Sequence, residues 1–123
     1  MDFIVENALN NAPEHDFENM SQANIKVIGV GGAGNNMVGW LYKKGIKGAE
    51  IIATNTDHQH LNITGADRKF LIGKDCTRGL GCGGFPSRGA EAAQESMTVV
   101  KDALKTSDMV FVCAGMGGGT GTG

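Results

Sequence analysis

Six apolar residues, Met109-Val110-Phe111-Val112-Cys113-Ala114, run straight into Gly115-Met116-Gly117-Gly118-Gly119-Thr120-Gly121-Thr122-Gly123. The first stretch reads as a buried strand. The second has almost no side-chain bulk with which to build a core. A glycine-dense turn after a buried strand lets main-chain N–H groups converge on an anion, an approach that side chains would block. Thr120 and Thr122 add hydroxyl donors. A flexible linker is the competing reading, but linkers seldom follow buried strands, and a second glycine loop at Gly29–Gly34 needs the same explanation.

The rest of the chain repeats the pattern. Ile25–Val30 reads as a first strand and Gly31-Gly32-Ala33-Gly34 as a tight loop. Asn35–Lys44 follows as a helix with Met37, Val38, Leu41 and Tyr42 inward, stopped by Gly45. Glu50–Thr54 is a second strand, closed by Asn55-Thr56-Asp57, with a polar turn or short helix over His58–Leu61. Lys69–Ile72 is a third strand, and Gly73–Pro86 a long loop. Ser87 can cap a helix that continues to Leu104, with Ala90, Ala93, Met97, Val100 and Leu104 as one apolar stripe. This alternation predicts an α/β fold: a Rossmann-like parallel sheet with flanking helices, over residues 25–123. Ligands of such sheets bind at the carboxyl ends of the strands, where every unusual loop here falls.

Charge divides the chain differently. Residues 1–24 form an acidic extension, with a helical turn over Phe3–Leu9 ended by Pro13. The first 25 residues hold five acids and no Lys or Arg, which leaves 11 basic against 8 acidic residues in the body. That mild excess suits a phosphate ligand and is too small to argue for nucleic acid. Cys76, Cys82 and Cys113 form no CxxC pair, as expected of reduced thiols in a cytoplasmic protein. No apolar run has membrane-spanning length, so direct membrane insertion is not expected.

Gly29-Val30-Gly31-Gly32-Ala33-Gly34 fits G-x-G-x-x-G, and Asp57 lies about twenty residues on, after the second strand. Alone, this is a dinucleotide fingerprint and predicts the NAD(P)-binding Rossmann domain of an oxidoreductase. It leaves idle the glycines of 117–123 and the loop Gly79-Leu80-Gly81-Cys82-Gly83-Gly84-Phe85-Pro86. Three glycine loops on one sheet edge suit a triphosphate held by backbone amides. No G-x-x-x-x-G-K-[ST] is present, so a P-loop is excluded.

Gly118-Gly119-Thr120-Gly121-Thr122-Gly123, read from Gly117, resembles the glycine signature of the tubulin/FtsZ family of cell-division GTPases. Gly31-Gly32-Ala33-Gly34-Asn35-Asn36, Asn55-Thr56-Asp57 and Gly79–Pro86 are similar to the family's other phosphate loops, in the family's order. The resemblance implies GTP as ligand, with Mg²⁺ carried by the nucleotide and no metal site of the protein's own. It implies that Gly32, Ala33, Gly34, Asn35 and Asn36 cradle the α- and β-phosphates, beside Gly31. Gly119, Thr120 and Gly121 would wrap the β- and γ-phosphates, flanked by Gly117, Gly118 and Thr122, and Gly83 and Gly84 would approach the γ-phosphate. Asp57 would reach the Mg²⁺ through water. The implied protein polymerises head to tail at the division site, hydrolyses GTP between subunits and binds division-machinery tethers. The implied later parts, including the loop that completes hydrolysis, do not occur in this sequence, so a fragment without catalytic residues is expected. Phe85 stands where family members often carry Asn, which points to an archaeal or divergent branch.

Three further features have plain readings. His58-x-His60 invites a metal, but no third ligand accompanies it, and a solvated turn is the expectation. Cys82 is read as a small residue tolerated in a tight loop rather than a reactive thiol. Trp40 and Tyr42 are read as packing residues.

Overall fold

The computed structural model describes residues 23–123. The acidic extension, with its expected turn over Phe3–Leu9, lies outside the described residues up to position 22. Four strands form one sheet: β1 (Ile25–Val30), β2 (Ala49–Asn55), β3 (Arg68–Leu71) and β4 (Met109–Ala114). Their order is β3-β2-β1-β4 and every pairing is parallel. In β1, Val27 stands beside Ile51 of β2 and Phe111 of β4. β1 is buried along nearly its whole length, as expected of a parallel strand covered on both faces.

Five helices join the strands: α1 (Gly31–Lys44), α2 (His58–Ile63), α3 (Lys74–Thr77), α4 (Pro86–Glu95) and α5 (Met97–Leu104). Val38 and Leu41 of α1 and Leu61 of α2 meet Val27, Ile51, Ala53 and Cys113 in the main core. Each fully buried Leu or Ile contributes about 1.5–3 kcal/mol there. α5 is tied to the sheet by a polar contact. Lys26 is buried in β1, and its ammonium donates to the Ala103 carbonyl at 2.6 Å. That cation meets the carbonyls left without partners at a helix C-terminus.

Three expectations need correction. The helix expected from Asn35 begins at Gly31, so Gly31–Gly34 is its first turn rather than a separate loop. The long loop Gly73–Pro86 contains the helical turn α3. The single helix expected over 87–104 breaks at Ser96 (φ −102°, ψ 14°), whose hydroxyl accepts the Gly73 N–H at 2.9 Å. A mid-helix serine that binds main chain elsewhere competes with the helix ladder.

The apolar stripe also differs. Ala93 and Met97 are exposed, while Gly89, Ala92 and Ala103 are buried. The reason is close approach. A Cβ on Gly89 would collide with the Gly119 carbonyl, and one on Gly73 would collide with Ala92. The inner face is set by the smallest residues, which hydrophobic periodicity does not register. On α1, Tyr42 is exposed yet covers Gly65, and Trp40 lies 41% exposed under the Lys44 ammonium, 4.1 Å from its ring centre.

Candidate functional site

The parallel sheet delivers the carboxyl ends of its strands to one edge, and the loops there interlock. After β2, the Asn55 side-chain oxygen accepts from Thr56 N (2.8 Å) and Asp57 N (3.2 Å). Asp57 then caps α2, its Oδ1 accepting the His60 N–H at 3.1 Å. Main-chain bonds tie this turn to the next loop: His58 N donates to Gly79 O (2.9 Å) and Gly81 N to Thr56 O (3.2 Å).

The loop after β4 closes the arrangement. The Thr120 and Thr56 hydroxyls are 2.7 Å apart. Cys82 Sγ lies 3.4 Å from the first and 3.5 Å from the second. Thr122 serves its own loop, its hydroxyl accepting from Gly117 N at 2.9 Å. Gly31 has φ +76°, and a Cβ on it would stand 2.9 Å from the Gly121 nitrogen. A Cβ on Gly34 would collide with the Cys113 carbonyl, so this glycine is what lets α1 rest on β4.

Between these loops lies an open cleft of about 410 Å³. Gly32, Ala33, Asp57, Gly83, Gly84, Gly118, Gly119, Thr120 and Gly121 line it. Gly31, Gly34, Asn35, Asn36, Gly117 and Thr122 do not: they support the wall from behind or lie beside it. Asn35 in particular is buried, donates through Nδ2 to Thr54 O at 2.9 Å and leaves Oδ1 without a partner among the described residues. Phe85, where family members often carry an amide side chain, is 62% exposed and does not line the cleft, its N–H bonding Cys82 O at 3.1 Å.

Sequence reasoning left several lining residues out of the site: Thr56, His60, Cys82, Leu80, Gly81, Gly115 and Met116. Thr56 and Cys82 lie inside motifs already singled out, and the cap at Asp57 was the available signal for His60. The ring of His60 lies against Asn36 (3.2 Å) and Asn55 (3.0 Å), whereas His58 is exposed beside a neighbouring cavity of about 650 Å³. Of the other thiols, Cys113 has its pKa raised by burial. That of Cys76 is raised by burial first and then by the Glu95 and Glu91 carboxylates.

The chemistry of the lining selects its ligand class. It contains no Lys or Arg and a single carboxylate, Asp57. Glycine main chain forms much of the wall, and the 14-residue α1 points its N-terminus at it. A helix N-terminus and free-standing amides favour an anion, and a phosphate chain fits such a wall without a lysine. A Cβ on Gly119 would crowd the neighbouring loop, 2.8 Å from the Cys82 Cβ and 3.0 Å from Phe85 N, so glycine lets the two loops pack together. Fold and cleft together define a parallel α/β protein with a cleft walled largely by glycine main chain at the carboxyl ends of its strands.

The family model described as "Tubulin/FtsZ family, GTPase domain" matches residues 24–123. Cell division protein FtsZ 2 of Methanocaldococcus jannaschii is 54% identical over 106 residues, covering 86% of this chain and 28% of its own. Cell division protein FtsZ 1 of Archaeoglobus fulgidus is 60% identical over 99 residues, covering 80% and 27%. An empty FtsZ dimer of M. jannaschii superposes with a TM-score of 0.80 at 51% identity, over 91% of this chain and 34% of that one. The chain belongs to the tubulin/FtsZ GTPase family, on the FtsZ side. These matches favour the GTPase reading over the oxidoreductase one. The chain spans between a quarter and about a third of the length of these relatives.

Proposed function

We propose that the cleft holds the phosphates of GTP and that the protein acts as a cytoskeletal cell-division GTPase. One observation carries this reading: the glycine turn that opens α1, the turn after β2 and the glycine loops after α3 and β4 line one cleft. The N-terminal turn of α1, with Gly32, Ala33 and Gly34, would serve the α- and β-phosphates. Asn36 lies beside that turn, and Asn35 holds it from behind. Gly119, Thr120 and Gly121 would serve the β- and γ-phosphates, and Gly83 and Gly84 the γ-phosphate end. Mg²⁺ bound by the nucleotide would neutralise phosphate charge, with Asp57 near it through water. The residues here would position the phosphates and offer main-chain amides to their charge, which is most of what phosphoryl transfer asks of a protein.

Head-to-tail self-assembly with hydrolysis between subunits, tethering by division partners and action at the division site follow from the same reading. A solved relative, CetZ2 of Haloferax volcanii, is a GTPγS-bound protofilament, similar at 30% identity with a TM-score of 0.69 over 80% of this chain and 32% of that one. No helix among the described residues is long and apolar enough to cross a membrane, which is compatible with tethering by a partner.

The test is calorimetric titration of the complete gene product with GTP and with NAD⁺, beside Thr120→Ala. GTP should bind and NAD⁺ should not, and the substitution should weaken GTP about tenfold, the effect of one strong hydrogen bond. Binding of NAD⁺ that survives the substitution would reject the proposal.

A further inference from the structure

His60 is the one ionisable ring in the cleft lining, and its hydrogen bonds determine its form. Asn55 sets the orientation of its partners. Its side-chain oxygen accepts from Thr56 N and Asp57 N, so the amide cannot be turned over without losing both bonds. The Asn55 NH₂ group therefore faces His60 Nδ1, at 3.0 Å. An NH₂ can only donate, so Nδ1 must be the bare, accepting nitrogen. The ring proton then sits on Nε2, 3.2 Å from the Asn36 Oδ1, and donates to it. Asn36, on the second turn's approach of α1, is thereby held by its oxygen, which leaves its NH₂ group available beside the cradle. The ring also lies over the first turn of the helix, since a Cβ on Gly32 would be 3.7 Å from His60 Cε1.

We propose that His60 is a positioning residue for phosphate binding: as the neutral Nε2–H tautomer it locks the α1 N-terminal turn to the turn after β2 and presents the Asn36 amide nitrogen to the anion. This rests on the nucleotide reading above. It assigns a role to a side chain that need not touch the phosphates itself. The cradle's two halves belong to different strands, and His60 bridges them through two bonds that only this protonation form supplies together. A protonated ring would set an N–H against the Asn55 NH₂.

The test uses the complete gene product, with GDP and Mg²⁺ as the probe. His60→Ala should weaken GDP about tenfold. His60→Gln should recover most of the affinity, because a glutamine amide offers the same acceptor and donor about as far apart as the ring nitrogens. His60→Asn, with the same amide on a shorter stem, should not recover it. Side-chain ¹⁵N spectra of the wild-type protein at pH 8 should report the Nε2–H tautomer of His60, independently of any variant. An Nδ1–H tautomer, or equal GDP affinity for wild type and His60→Ala, would overturn the assignment and leave the nucleotide reading standing. Failure of the wild-type protein to bind GDP would overturn the nucleotide reading, and the role of His60 with it.

Discussion

The hydroxyls of Thr56 and Thr120, 64 residues apart in sequence, meet at 2.7 Å. Thr56 is wholly buried at the end of β2, and Thr120 belongs to the glycine loop after β4. These strands are not neighbours, since β1 lies between them. The contact therefore closes the cleft across its central strand. A double-mutant cycle of Thr56→Val and Thr120→Val should give a coupling of about 0.5–1.5 kcal/mol in chemical denaturation, the usual worth of a buried hydrogen bond. Each single change should cost more than half the double, because it takes the short hydrogen bond away from the hydroxyl that remains. Additive effects would mean that the two loops are not coupled through this pair.

Gly34 tests the packing behind the cradle. Its missing side chain is what admits the Cys113 carbonyl, and neither backbone can move without dragging α1 or β4. Gly34→Ala should destabilise the fold by about 1–3 kcal/mol through overpacking, despite alanine's higher helix propensity. Gly45→Ala is the contrast, since nothing lies within 4 Å of the position and only its αL conformation is strained. Thermal unfolding of both variants distinguishes steric from conformational cost. A harmless Gly34→Ala would contradict the close approach.

The thiols give a pH dependence. Burial holds the Cys113 pKa up, so the folded state keeps its proton where the unfolded chain has lost it. Stability from this source is fully present below the ordinary thiol pKa and is lost as pH rises through the folded value. Cys113→Ala should accordingly flatten the alkaline limb of the stability profile. At Cys76 burial comes first, with Glu95 and Glu91 adding to it. Glu95→Gln should move its iodoacetamide labelling curve to lower pH, because one of the opposing charges is gone. A curve that stays in place would leave burial and Glu91 as the causes of the shift.

Much of this was legible in the sequence because two signals are strong. Apolar runs announce parallel strands, though of the two Ile25–Val30 alone is covered on both faces, whereas Met109–Ala114, also expected to be buried, forms a sheet edge with Val112 59% exposed. Glycine-dense loops after them announce main chain that must be approached closely. The less legible parts depend on contacts between distant segments. The break at Ser96 comes from the Gly73 N–H that its hydroxyl accepts. The buried face of α4 follows Gly89 and Ala92, whose small size matters only because Gly119 and Gly73 press on them. The family resemblance implies a phosphate contact for Asn35, yet its side-chain amide turns to Thr54 O inside the core. His60 reads in sequence as part of a solvated turn and instead joins two asparagines. Spacing along the chain registers none of these partners.

The central claim is that separate loops form one phosphate cradle, and amide hydrogen exchange of the complete gene product addresses it directly. At saturating GDP and Mg²⁺, exchange should slow together in Gly32–Asn36, assigned to the α- and β-phosphates, and in Gly118–Gly121, assigned to the β- and γ-phosphates, since both segments reach the β-phosphate that GDP retains. Gly81–Gly84, at the γ-phosphate end, should slow further with a non-hydrolysable GTP analogue. Bound nucleotide with unchanged exchange in those loops, or with slowing confined to the cavity beside Lys74 and Arg78, would contradict the account.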